Sequence, residues 1–196
     1  AALKIGVDRI EVDVATTKDG TVVCLHDKDI DRTCQQSGDI REFTMDDLKT
    51  IRANVGFENA FPLEGIPTLN SVFETIDGAC ELVIEIKSGN DHYPRIEKKV
   101  AKLIEDHDAY SWAVVHSFND KVLDLLPTLD QNVRLQKLFV FRWSWIGLMQ
   151  DMDTHFGRIE DYPNVEAFGV YRKFVSQDLI DDIHELGKQI HVWTVD

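Results

Sequence analysis

Arg9-Ile10-Glu11-Val12-Asp13-Val14 alternates aliphatic with charged residues, and Leu82-Val83-Ile84-Glu85-Ile86-Lys87 repeats the pattern further along the chain. Successive side chains of an extended strand point to opposite faces, so Ile10, Val12 and Val14 share one face while Glu11 and Asp13 share the other. By the same rule Leu82, Ile84 and Ile86 oppose Val83, Glu85 and Lys87. A half-exposed strand would leave its acids in water. A parallel sheet flanked by helices has no freely solvated face, and there the acids must point into a barrel or crevice.

The surrounding segments favour the parallel sheet. Strand-like runs recur at residues 113–117, 133–141, 167–170 and 190–195, mostly separated by helix-period segments. Thr68 can cap a helix running to about Ile76, and Ile96, Val100, Leu103 and Ile104 form one helical apolar face. Ser176 can cap a helix carrying Leu179, Ile180, Ile183 and Leu186, with Gly187 just past its end. Strand, helix, strand, helix is the signature of an α/β fold, either a barrel or a doubly wound sheet. No Gly-x-Gly-x-x-Gly turn favours the dinucleotide-binding version. The chain of 196 residues is expected to be one domain, residues 1–196. Residues 27–65 are too long for a plain connection and are expected to form a small inserted subdomain, with a helix start at Thr44 and Asp47 and an apolar face of Leu48 and Ile51.

With 35 acidic against 21 basic residues the net charge is −14, the wrong sign for a nucleic-acid binder that neutralises phosphates. No apolar run approaches the roughly 20 residues that span a bilayer, so no membrane insertion is expected and a cytoplasmic setting is favoured. Cys24, Cys34 and Cys80 form no Cys-x-x-Cys pair and read as buried or partly buried free thiols.

Two carboxylates side by side in a poorly solvated place repel, and a cation is the natural remedy. Glu11, Asp13 and Glu85, three oxygen ligands with open positions left over, suit Mg²⁺ or Ca²⁺ better than zinc. The competing reading is an internal Glu85–Lys87 ion-pair cluster. Lys18-Asp19-Gly20-Thr21 predicts a two-residue hairpin turn that sets Asp13 opposite His26; a bulge would shift the register by one residue and leave His26 at the lip of the acids. Beside three carboxylates, His26 becomes a candidate general acid or base. His116, at the C-terminal end of its strand, is a candidate substrate contact if the sheet is a barrel. His92, His107, His155 and His184 read as surface residues and His191 as a packing residue. Phe139, Phe141, Trp143 and Trp145 read as core, the alternative being contact with an acyl chain.

Taken together, Gly6-Val7-Asp8, Ile10 to Val14, Thr17-Lys18-Asp19-Gly20, Val22-Val23, His26-Asp27, Arg32-Thr33, Gly38, Ile66-Pro67-Thr68-Leu69, Ile84-Glu85-Ile86-Lys87, Ser117-Phe118 and Val192-Trp193-Thr194-Val195 resemble the glycerophosphodiester phosphodiesterases. The match runs along nearly the whole chain in order. It implies a TIM (β/α)8 barrel with a small insertion after the second strand, and metal-dependent hydrolysis of glycerophosphodiesters to an alcohol and glycerol 3-phosphate. Glu11, Asp13 and Glu85 would bind the divalent ion, Lys87 would help hold the phosphate, and His26 would be one of two catalytic histidines. Trp193 would line the pocket of a small-molecule phosphodiester. The family's first strand ends in His-Arg-Gly and would precede Ala1, and an eighth strand would follow Asp196. The expectation is therefore a chain lacking the first and last strands and inactive by itself. Two rivals share these residues: a phospholipase D-like or sphingomyelinase-like lipid phosphodiesterase, and a non-catalytic glycerophosphodiester-binding module.

Overall fold

The structure, a computed structural model, describes residues 2–143, 147–152 and 155–195. Six parallel strands form its centre: β1 (Arg9–Thr16), β3 (Glu81–Glu85), β4 (Ala113–Ser117), β5 (Arg134–Phe139), β9 (Ala167–Tyr171) and β10 (Gln189–Trp193), neighbours in that order. The short β2 (Val22–Cys24) runs antiparallel against the end of β1. Phe141–Trp143 (β6), Leu148–Gln150 (β7) and Phe156–Gly157 (β8) make a separate antiparallel sheet, which splits the single run expected at 133–141. Helices connect the parallel strands: α3 (Leu69–Ile76), α5 (Ile96–Asp106), α6 (Asp120–Leu129) and α7 (Gln177–Glu185) are the longer ones, and α1 (Ala2–Ile5), α2 (Met45–Leu48) and α4 (Gly89–His92) are single turns.

The period-two pattern places the core. Leu82, Ile84 and Ile86 with Val115, Leu135, Phe139, Phe168 and Val170 are buried under helix faces built from Phe73, Val100, Ile104, Val122, Leu126, Leu179 and Ile183. Thr68 and Ser176 cap α3 and α7 as the sequence predicts, by accepting from the Ser71 and Leu179 amides. Thr44 and Asp47 form a reciprocal capping box on α2. Within residues 27–65, Ile30, Cys34, Ile40, Leu48 and Ile51 are buried in the same core cluster.

At the N-terminal ends of the strands, charges pair across the sheet. Arg134 reaches Glu81 at 2.8 Å and Glu166 at 2.6 Å, and Arg9 also pairs with Glu81. Truncating Arg134 to Met leaves two half-exposed acids with one guanidinium fewer. The expected loss is about 1–3 kcal/mol of unfolding free energy, read from the urea midpoint; an unchanged midpoint would show that these ion pairs add nothing.

The hairpin differs from its expectation. Val14 pairs with Cys24 and Thr16 with Val22, and the Thr17 amide bonds the Thr21 carbonyl, so Lys18-Asp19-Gly20 is a three-residue loop. Gly20 takes the left-handed conformation that such a loop requires (φ 80°). The register moves by one residue, and Leu25, whose amide donates to the Asp13 carbonyl, stands where His26 was expected.

Candidate active site

One cavity of about 1090 Å³ opens on the face opposite the aliphatic one. Its lining includes Glu11 and Asp13 from β1, Glu85 at the end of β3 with Lys87 just beyond, His116 from β4, Gln136 from β5, and His191 and Trp193 from β10. Asp13, Glu85, His116 and Gln136 are successive register partners, forming one row across four strands. His26 and Asp27 line the same cavity from the segment after β2. The parallel sheet thus carries out what the alternation implied: aliphatic residues under the helices, ionisable ones in the crevice.

The donor atoms of Glu11, Glu85 and His116 lie within 4.8 Å of one another. His116 Nε2 stands 3.5 Å from Glu11 Oε1 and 3.7 Å from Glu85 Oε2. Both His116 nitrogens and Glu85 Oε1 are buried without a hydrogen-bond partner, a costly condition for polar groups removed from water. Burial pushes the Glu85 carboxyl up to about 7, with Asp13 and Glu11 adding like charge against the opposing pull of Lys87. Such a donor set fits a divalent cation, which would satisfy Glu85 Oε1 and one of the two His116 nitrogens and hold Glu85 ionised.

Asp13 already has a cation, since its Oδ1 receives the Lys87 ammonium at 2.8 Å. Lys87 also donates to the His26 carbonyl at 3.4 Å, tying the end of β3 to the segment after β2. The ion pair considered for Glu85 and Lys87 is thus made by Asp13 and Lys87. His26 is exposed, and its Nδ1 lies 2.6 Å from Asp27 Oδ1, while Arg32 Nε donates to Asp27 Oδ2 at 2.6 Å. The hydrogen bonds from His26 and then Arg32 hold the Asp27 carboxyl below its ordinary range. An ionised carboxylate only accepts, so Nδ1 carries the hydrogen and Nε2 is the nitrogen left for chemistry.

A glycerophosphoryl diester phosphodiesterase family model matches residues 1–196, the whole chain. This chain belongs to the glycerophosphoryl diester phosphodiesterase family. It is 32% identical over 198 residues to a glycerophosphodiester phosphodiesterase of Caldanaerobacter subterraneus, covering all of this chain and 76% of that protein. An Oleispira antarctica phosphodiesterase, solved in complex with the product sn-glycerol-3-phosphate, superposes with a TM-score of 0.81 at 21% identity, over all of this chain and 76% of that one. A glycerophosphodiester phosphodiesterase of Agrobacterium tumefaciens gives 0.72 at 20% identity, covering 97% and 76%. The fold is therefore this family's TIM barrel. Among the described residues its six parallel strands form an open arc, with β10 at one edge and the lower half of β1 at the other.

Within that family frame, the cavity gathers every site residue read from the sequence: His26, Glu11, Asp13, Glu85, Lys87, His116 and Trp193. It also gathers residues the reading passed over. His191, expected to pack, bonds Gln136 Oε1 at 3.0 Å on the cavity wall. Phe118 meets Trp193 edge to face, with ring centroids 5.7 Å apart. Asp27 was visible only as the neighbour of His26. Other histidines depart from the surface reading: His107 stacks on Phe73 and bonds Asn70, and His92 meets Tyr93 edge to face. Of the four aromatics assigned to the core, Phe139 is buried but Trp143 is 39% exposed. Trp145 lies outside the described residues. All three cysteines are free, and burial beside Asp13 and Glu11 pushes the Cys24 thiol up to about 12, so it is no nucleophile at neutral pH.

Proposed function

We propose that this chain hydrolyses a small glycerophosphodiester to an alcohol and glycerol 3-phosphate, with His26 as an acid/base residue and a divalent cation, Mg²⁺ or Ca²⁺, held by Glu11 and Glu85 with Asp13 and His116 beside them. The observation that carries this reading is the convergence of Glu11, Glu85 and His116, with unpartnered buried atoms, in the cavity that His26 and Lys87 also line. Bound there, the cation would polarise phosphoryl oxygens and neutralise developing charge.

The remaining work falls to the chain's own groups. Lys87, a third exposed and anchored by Asp13, offers its ammonium to a phosphate oxygen. His26 Nε2, its ring oriented through Asp27, takes a proton from the attacking group or gives one to the leaving alkoxide. Trp193, Phe118, Leu138 and Val192 supply an apolar wall for the carbon skeleton. Residues 27–65 serve as the inserted element that brings Asp27, Lys28 and Asp29 beside His26 at the cavity. The net charge of −14 repels an anionic substrate, so attraction must come from the local cations.

The test is release of glycerol 3-phosphate from glycerophosphocholine, with the chain in its natural sequence context and Mg²⁺ or Ca²⁺ supplied. A cyclic phosphate would point instead to the lipid-phosphodiesterase mechanism, and binding without product to a binding module. Glu85→Gln is expected to weaken divalent-ion affinity at least tenfold by calorimetry, because it removes the most buried charge of the site. Unchanged affinity would take Glu85 out of the ligand set.

A further inference from the structure

A second cavity, of about 670 Å³, lies where Gly20, Thr21 and Val22 of the hairpin meet Thr68 and Asn70 at the start of α3 and one face of α5. It shares no lining residue with the acid-lined cavity. Arg95, Lys98, Lys99 and Lys102 all line it. Their spacing of three and four residues stacks them on a single side of the helix, while Ile96, Val100 and Ile104 are buried on the other. In a chain of net charge −14, this is a local reversal of sign.

The four cations are not consumed equally by the protein. Lys102 is shared between Glu105 at 3.1 Å and Asp106 at 2.6 Å. Among the described residues, the Lys98 and Lys99 ammonium groups make no ion pair or hydrogen bond. Lys99 bends over the hairpin, so that a Cβ placed on Gly20 would come within 2.8 Å of its Nζ. Two uncommitted ammonium groups therefore stand beside a polar wall that includes Thr21 and Thr68.

We propose that this groove binds the phosphate group of a small phosphomonoester, at a site separate from the catalytic cavity. A phosphomonoester carries nearly two negative charges and several acceptor oxygens, which match paired point-charge donors. The volume falls in the range of small-ligand pockets. An anionic bilayer is the poorer occupant, because the apolar lining residues Val22 and Leu103 are buried or half-buried and offer no anchor to insert.

The test is a titration of inorganic phosphate, and separately of glucose 6-phosphate, followed through the backbone amide resonances of Thr21, Lys98 and Lys99. Saturable shifts are expected, with apparent affinity falling at least tenfold in the Lys98→Ala/Lys99→Ala variant and retained in Lys98→Arg/Lys99→Arg. The alanine pair should keep its phosphodiesterase activity, so failure here and failure of the catalytic reading are distinguishable. Shifts that are absent, reproduced by chloride at equal ionic strength, or unchanged in the alanine pair would overturn the proposal. So would lysine-dependent binding to phosphatidylserine vesicles without saturable phosphate binding, which would make the groove a membrane contact.

Discussion

Replacing His26 by Ala is expected to lower kcat for glycerophosphodiester hydrolysis by about 10²–10⁴-fold, the range for loss of a general acid or base, with the unfolding midpoint and divalent-ion affinity unchanged. The separation of effects follows from position. The His26 side chain is 61% exposed and packs against little, so its removal leaves no cavity. It is absent from the trio whose donor atoms converge, so the metal ligands stay in place. What disappears is an imidazole whose Nδ1 is pinned by Asp27 and whose Nε2 is free to exchange a proton. Asp27→Asn should lower kcat less than His26→Ala and shift its pH profile, since the amide can still contact the ring but no longer demands one tautomer. Turnover within twofold of the parent in His26→Ala would remove this residue from the chemistry.

Lys137→Met is expected to destabilise the fold by about 3–5 kcal/mol, the cost of stripping one partner from a buried ion pair. Lys137 is wholly buried, and its Nζ reaches Asp151 Oδ2 at 2.9 Å, Asp120 Oδ1 at 2.6 Å and the Phe118 carbonyl. The same nitrogen lies 5.2 Å from the Phe139 ring centroid and 5.3 Å from that of Tyr162. Asp151 is only 1% exposed, so without the lysine its charge keeps only the His155 amide at 3.0 Å and the His155 ring nitrogen at 3.7 Å. Urea denaturation measures the loss, and the Lys137→Met/Asp151→Leu pair should recover much of it. A loss below about 1 kcal/mol would show that water or rearrangement replaces the pair. The lysine also fastens the loop carrying Phe118, and through it the aromatic contact with Trp193.

Lys137 was passed over in the sequence, although its place in the strand is an exception. In Arg134-Leu135-Gln136-Lys137-Leu138-Phe139 it falls on the helix-facing side with Leu135 and Phe139, a place where a charge demands a partner. Its partners come from α6 and from the turn after β7, and nothing local announces them. The three-residue hairpin loop has a similar origin. Asp19 accepts from the Met45 amide at 3.3 Å, and the Lys18 amide donates to the Phe43 carbonyl at 2.8 Å, so a distant segment helps choose between two loops that the same four residues allow.

Alternation along β1 and β3 was sufficient by itself to send Glu11, Asp13, Glu85 and Lys87 to one face and their aliphatic neighbours to the other. Cap residues at Thr44, Thr68 and Ser176 likewise announced where helices begin, because capping is satisfied within one turn of chain. Which charged groups meet could not be read in this way. Strand order sets β4 beside β3 and so brings His116 to 3.5 Å from Glu11 and 3.7 Å from Glu85, Lys87 turns toward Asp13, and β10, from the far end of the chain, adds His191 and Trp193 to the same wall. Local periodicity chooses a face through backbone geometry within a few residues, whereas pairing between side chains depends on distances that exist only after the sheet has assembled.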